Sequence, residues 1–247
     1  MQNNFTTICG SVKGVNLLTE PVGGFSVKKI NTADLIKFLS NYHFYDWDLQ
    51  QKNKCVMNFG MSQDILQSHN IPEYYDSWGY EAINNKYAPI EFSVSQWLQL
   101  ENSFFNWLSQ AESILMHNII VTPRLSNIWT KYSSYQQNWS KKNIWEKDDY
   151  DLYLNTLEAA KIINLRKPQF NLDCRGAVIE NFNELKILGK MATRNFDLIF
   201  FSNNNMVFRI TEYLTLQLEL KDQITYSNVQ QNLLELLNPI ELPMSST

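Results

Sequence analysis

Apolar residues recur at helical spacing from residue 93. Val94, Trp97, Leu98, Phe104, Phe105, Leu108, Ala111 and Leu115 fall on one face of a 3.6-residue period. Ser93 and Gln96 have capping-box spacing, so the pattern predicts a helix over 93–116 with Trp97 and Leu108 buried. Asn118 is the expected C-terminal break, and Ile119-Ile120-Val121 reads as a short connection. Thr122 and Pro123 suit a helix start, and Leu125, Ile128, Trp129, Tyr132, Tyr135 and Trp139 recur at three- and four-residue steps. A second helix over 123–142 is therefore expected to pair antiparallel with the first. A third, over 149–164, opens on Asp148-Asp149, whose charges suit a helix N-terminus, and carries Leu152, Leu154, Leu157, Ala160 and Ile163.

After Lys167-Pro168 the period changes from helical to alternating. Gly176–Ile179 reads as a strand, as do 196–201 and 206–211, with Asn203-Asn204-Asn205 as a hairpin turn in which asparagine would supply positive φ. Leu214, Leu216, Leu218 and Leu220 alternate with Thr215, Gln217 and Glu219, the signature of a half-buried antiparallel strand over 213–221. Ser227 is the expected cap of a last helix carrying Leu233, Leu234, Leu236 and Leu237, which Pro239 ends. Toward the N-terminus, 11–30 reads as extended segments turning at Pro21–Gly24, and Asn31-Thr32 opens a short helix to about Asn41. Residues 42–92 have no sustained period and read as irregular, with one helical turn near Ser62–Gln67. Their many tyrosines are read first as pins that fix long loops, and second as stacking surfaces.

The fold class expected from this pattern is α+β: a central helical layer packed against a small antiparallel sheet, with a C-terminal helix. The chain is read as one domain over 1–247, with an irregular N-terminal subdomain over 1–92 as the other division. An apolar fraction of 44% and an aromatic fraction of 13% are ample for a core. No run of 18 apolar residues occurs, so no membrane span is expected. Met1–Thr7 lacks the charged start and apolar centre of a signal peptide. Cys9, Cys55 and Cys174 are distant from one another and odd in number, which fits a reducing, cytoplasmic setting.

Charge changes this picture only locally. The formal net charge is -4, yet 124–194 holds 12 basic and 8 acidic residues between two acidic ends. The excess is densest between Thr122 and Lys147, where Arg124, Lys131, Lys141, Lys142 and Lys147 face one acid, Glu146, and interleave with Trp129, Trp139 and Trp145. Trp129, Tyr132, Tyr135 and Trp139 sit on the stripe that a core helix would bury, which leaves Trp145 as the aromatic most suited to a surface role.

Candidate chemistry is sparse. GxGxxG, GxxxxGK[ST], HExxH and GxSxG are all absent, and His43, His69 and His117 have no metal-ligand spacing. Asp197 at a strand start and Glu219-Leu220-Lys221 at a strand end loosely resemble the PD-(D/E)xK nucleases. That resemblance would imply a divalent cation held by two carboxylates, with the lysine orienting water. The return strand of the hairpin, where the triplet would usually fall, carries Arg209-Ile210-Thr211, so the match is degenerate and ordinary charges on a sheet edge are preferred. The leading expectation is a non-catalytic binding or adaptor protein that meets a protein partner through Arg124, Lys131, Lys141, Lys142 and Trp145, with no cofactor, metal or catalytic residue. The alternatives are a protein that binds or processes nucleic acid through the same positive region, and an enzyme built from isolated residues such as His43, His69 or Asp197.

Overall fold

A computed structural model describes residues 28–30, 33–35, 55–71, 81–83, 86–88, 93–123, 147–164, 166, 176–194, 199–211 and 213–240. These form a mixed α+β fold, as the sequence pattern predicts. The sheet, however, is large. It has eight strands: β1 (Lys28–Ile30), β2 (Val56–Gly60), β5 (Ile119–Pro123), β6 (Gly176–Ile179), β7 (Ile199–Ser202), β8 (Met206–Ile210), β9 (Leu216–Leu220) and β10 (Asn238–Pro239). Their spatial order is β1-β6-β5-β7-β8-β9-β2-β10, and every neighbouring pair is antiparallel. A separate hairpin joins β3 (Glu81–Ile83) to β4 (Lys86–Ala88). The helices are α1 (Gln63–Ser68), α2 (Val94–Leu108), α3 (Glu112–Leu115), α4 (Lys147–Ala159), α5 (Phe182–Thr193) and α6 (Gln223–Leu236).

Register puts one apolar row across six strands. Ala177 lies opposite Val121, Val121 opposite Phe201, Phe201 opposite Phe208, Phe208 opposite Leu218 and Leu218 opposite Met57. All six residues are buried, and the Phe201 and Phe208 rings stack with centroids 5.2 Å apart. Side chains on one face of a sheet pack as cross-strand pairs, so this row fixes the register: a slip by one residue would turn every member to the other face. Helix α5 lies on this face. A Cβ on its Gly189 would stand 2.9 Å from Ile210 Cδ1 and 3.1 Å from Phe105 Cε1, so α5 is wedged between β8 and α2 and needs glycine there.

The opposite face is also closed near the sheet centre. Thr122, Ser202, Val207 and Glu219 are all at most 3% exposed. This corrects the expectation that Thr215, Gln217 and Glu219 line a solvated face and that Glu219 is an ordinary edge charge. Thr215 and Glu219 are buried and Gln217 half-buried, and β9 is an interior strand between β8 and β2, not an edge.

Several elements match the sequence pattern. Ser93 caps α2 through a capping box in which Gln96 N–H donates to Ser93 Oγ at 3.3 Å and Ser93 N–H to Gln96 Oε1 at 2.9 Å. Trp97 and Leu108 are buried, and Asn118 turns the chain with φ 51°. Ser62 caps α1. The β7–β8 hairpin forms, but none of its asparagines has positive φ. Asn203 instead accepts at Oδ1 from the N–H groups of Asn205 (2.8 Å) and Met206 (3.0 Å), so the side chain stands in for a turn carbonyl.

Other elements differ. Ile119–Val121 is no helix–helix connection but the core of β5, flanked by β6 and β7, which its three β-branched residues favour. The antiparallel partner expected over 123–142 falls on residues outside those described, apart from Pro123 at the end of β5. The expected helix over 93–116 is interrupted by a 3-10 turn at Ser109–Ala111, and the one expected over 149–164 stops at Ala159, where Lys161 adopts φ 59°. Residues 42–92 include β2, β3 and β4 as well as α1. Helix α6 starts four residues earlier than Ser227: Asp222 Oδ1 accepts from Thr225 N–H at 2.7 Å, while Ser227 Oγ donates to Gln223 O within the helix. Helix α5, absent from the sequence reading, occupies the stretch between β6 and β7.

Candidate functional site

The residues expected to meet a partner, Arg124, Lys131, Lys141, Lys142 and Trp145, lie outside the described residues, as do His43 and Asp197. The described structure fixes the two ends of their segment: β5 closes at Pro123, and α4 opens at Lys147.

Just inside that second end lies the densest charge cluster among the described residues. Glu101 occurs in the apolar stripe of α2, one turn after Trp97 and one turn before Phe104 and Phe105, and is 1% exposed. A buried carboxylate in that position needs a cation. Arg194, fully buried at the C-terminal end of α5, supplies it in a two-point grip: Nε donates to Glu101 Oε1 at 2.9 Å and Nη2 to Oε2 at 2.5 Å. Nη2 also donates to Asp149 Oδ2 at 2.7 Å, and Lys190 Nζ donates to Asp149 Oδ1 at 2.7 Å. Thr193 Oγ1 completes the set, 2.6 Å from Glu101 Oε1. One guanidinium thus ties α2, α4 and α5 together.

The electrostatics follow from these contacts. Burial pushes the Asp149 carboxyl up, but hydrogen bonds and charge from Lys190 and Arg194 outweigh it and hold the group below 3.8. Burial pulls Arg194 down, and Glu101 and Asp149 more than reverse this, so the guanidinium is held charged. The Lys186 ammonium is pushed below 10.5, first by burial and then by repulsion from Lys190. It sits 5.9 Å from the centroid of the Phe105 ring.

The remaining candidates are isolated. His69, after α1, places Nε2 2.9 Å from Ser103 Oγ on α2. This pairing joins two helices, and Ser103 lies mid-helix, where backbone N–H groups are already engaged in the helix ladder and cannot form an oxyanion hole. His117 and Asn118 border an open depression with Met116, Val178, Ile179 and Glu180. Among the described residues, no group of three or more His, Cys, Asp or Glu could hold a metal ion. Of the nuclease-like pattern, Glu219 is buried on β9 and Lys221 is exposed, and β8 separates β9 from β7, the strand that Asp197 precedes. No helix among the described residues is long and apolar enough to cross a membrane.

Sequence reasoning missed the charge cluster although two signals were present. A glutamate inside the apolar stripe of α2 announces a buried partner, and Asn181 with Glu184 before Leu185, Leu188 and Met191 announces the helix that brings it. The sequence pattern explains Asp149 through the helix dipole alone. No protein-family model matches the chain, and no curated protein and no solved structure is significantly similar to it.

Proposed function

We propose that the protein is a non-catalytic binding or adaptor protein that meets an acidic protein partner through Arg124, Lys131, Lys141 and Lys142, with Trp145 at the edge of the contact. The carrying observation is where the positive charge is left over. Between residues 148 and 194 the chain has seven basic and seven acidic residues, and two of those bases, Lys190 and Arg194, are committed to Asp149 and Glu101. The whole excess of the middle region therefore belongs to 124–147, with five basic residues and one acid. Such a segment in a chain of net charge -4 favours an acidic partner, and local complementarity of this kind acts mainly on association rate and specificity. The cysteine count supports a cytoplasmic setting.

The second reading, a protein that binds nucleic acid through the same residues, is favoured by the interleaving of aromatic and basic groups. Capture from lysate of the source cell, with and without nuclease, separates the two. The protein-partner reading expects a defined acidic protein that survives nuclease and is lost when the four basic residues are replaced by glutamine. Capture that depends on nucleic acid selects the second reading.

A further inference from the structure

The cluster joining α2, α4 and α5 is unequal in charge. Three cations, Lys186, Lys190 and Arg194, act on two carboxylates, Glu101 and Asp149. Arg194 satisfies Glu101 and shares Asp149 with Lys190. Lys186 is the cation left over: among the described residues it ends in no ion pair. It is half-buried, its ammonium rests near the face of Phe105, and one helical turn separates it from Lys190 on the same face of α5. Like charges at that spacing repel. Two half-buried ammonium groups on one face, one of them with no ion pair among the described residues, form a place where an added anion lowers the energy of both.

We propose that Lys186 and Lys190 form a binding site on α5 for one oxyanion group, a carboxylate or phosphate. Lys190 remains bonded to Asp149 and contributes charge and its other N–H donors, while Lys186 is the principal contact. One negative charge balances the cluster, and oxygen acceptors can take the three ammonium N–H donors of Lys186 and those of Lys190 not spent on Asp149. The lowered pKa of Lys186 agrees with this: burial and Lys190 penalise its charged form by more than Glu101 and Asp149 favour it, and an anion would offset the difference. The site shares no residue with Arg124, Lys131, Lys141 and Lys142, so it does not rest on the partner reading. The group can arrive as a free oxyanion or on an acidic polypeptide.

The test is a thermal melt of the full chain in increasing inorganic phosphate, against sodium chloride at matched ionic strength, with a glutamate-rich peptide as a second arm. For the parent, Tm should rise by ~3 °C once phosphate stands about tenfold above its Kd, beyond any rise in chloride. Lys186→Gln should lose that rise. Lys186→Met, which keeps the aliphatic stem over Phe105, should lose it too while melting no lower than the parent in chloride. A response to phosphate alone assigns the site to free oxyanions, and a peptide response abolished by Lys186→Met assigns it to an acidic polypeptide. No rise in either arm beyond chloride, or an equal rise in both variants, overturns the site. The glutamine variant of Arg124, Lys131, Lys141 and Lys142 should keep the phosphate response, which distinguishes failure of this site from failure of the partner reading.

Discussion

Arg194 decides the arrangement of three helices from a single side chain. Its guanidinium is fully buried, two of its bonds go to Glu101 and one to Asp149, and its planar fork matches the carboxylate in a way an ammonium cannot. A buried ion pair is weak evidence of net stabilisation, but removing one partner strands the other in the core. Arg194→Met should therefore destabilise the protein by about 3–5 kcal/mol in urea unfolding, and Arg194→Lys should recover only part of this. Glu101→Leu combined with Arg194→Met should be markedly more stable than Arg194→Met alone, because the stranded carboxylate is gone. A double variant no better than the single would show that the loss comes from packing of the arginine stem.

Asp149 gives the same cluster a pH dependence. Its folded-state pKa lies below the ordinary 3.8, so its contribution is complete above that value and is lost as pH falls through the lower folded-state value. Asp149→Asn should lower stability at neutral pH, and the gap between variant and parent should narrow only on acidification below 3.8, measured by denaturant midpoints across pH. A gap that already closes near pH 6 would exclude Asp149 as the source.

At the scale of elements, glycine marks where the sheet tolerates no side chain. Gly176 on β6 faces Ile30 of β1, and a Cβ there would stand 2.6 Å from Ile30 Cγ2, 3.1 Å from Leu35 Cδ2 and 3.3 Å from the Val121 carbonyl oxygen. The isoleucine methyl is attached at Cβ and cannot swing clear, as a chain end could. Gly176→Ala should cost about 1–3 kcal/mol, and hydrogen exchange should show the loss concentrated in β1 and β6. Unchanged stability would mean that β1 shifts freely. Elements with a clean local period were legible from the sequence: α2, most of α4, the β7–β8 hairpin and β9. Those shaped by the sheet were not. Ile119–Val121 is too short for its period to distinguish connection from strand, and β2 is five residues whose partners are β9 and β10. Helix α5 was missed because the strand signals on either side drew the whole region into one reading. Of the charge cluster, only Asp149 is legible locally, as an acid at a helix start, since Glu101 finds Arg194 across 93 residues of sequence.

On the scale of the whole molecule, sequence charge sets one segment apart: 124–147 holds five basic residues and one acid in a chain of net charge -4. Six of the eight antiparallel strands carry a continuous apolar row on one face, and Thr122, Ser202 and Glu219 are buried on the other. Helices α2, α4 and α5 are locked by Arg194. The basic excess of 124–194 falls in 124–147, which runs in sequence from the end of β5 to the start of α4. On the proposed reading Arg124, Lys131, Lys141 and Lys142 are solvated, and solvated charges contribute little to folding, so replacing the four with glutamine should leave the melting temperature nearly unchanged. The direct measurement is the affinity of this variant and of the parent for the captured acidic partner across a salt series. The expected result is weaker binding by the variant at low salt and a shallower dependence on ionic strength, with the two affinities converging at high salt. Equal affinity at low salt would contradict the account and reduce the basic segment to a solvated surface.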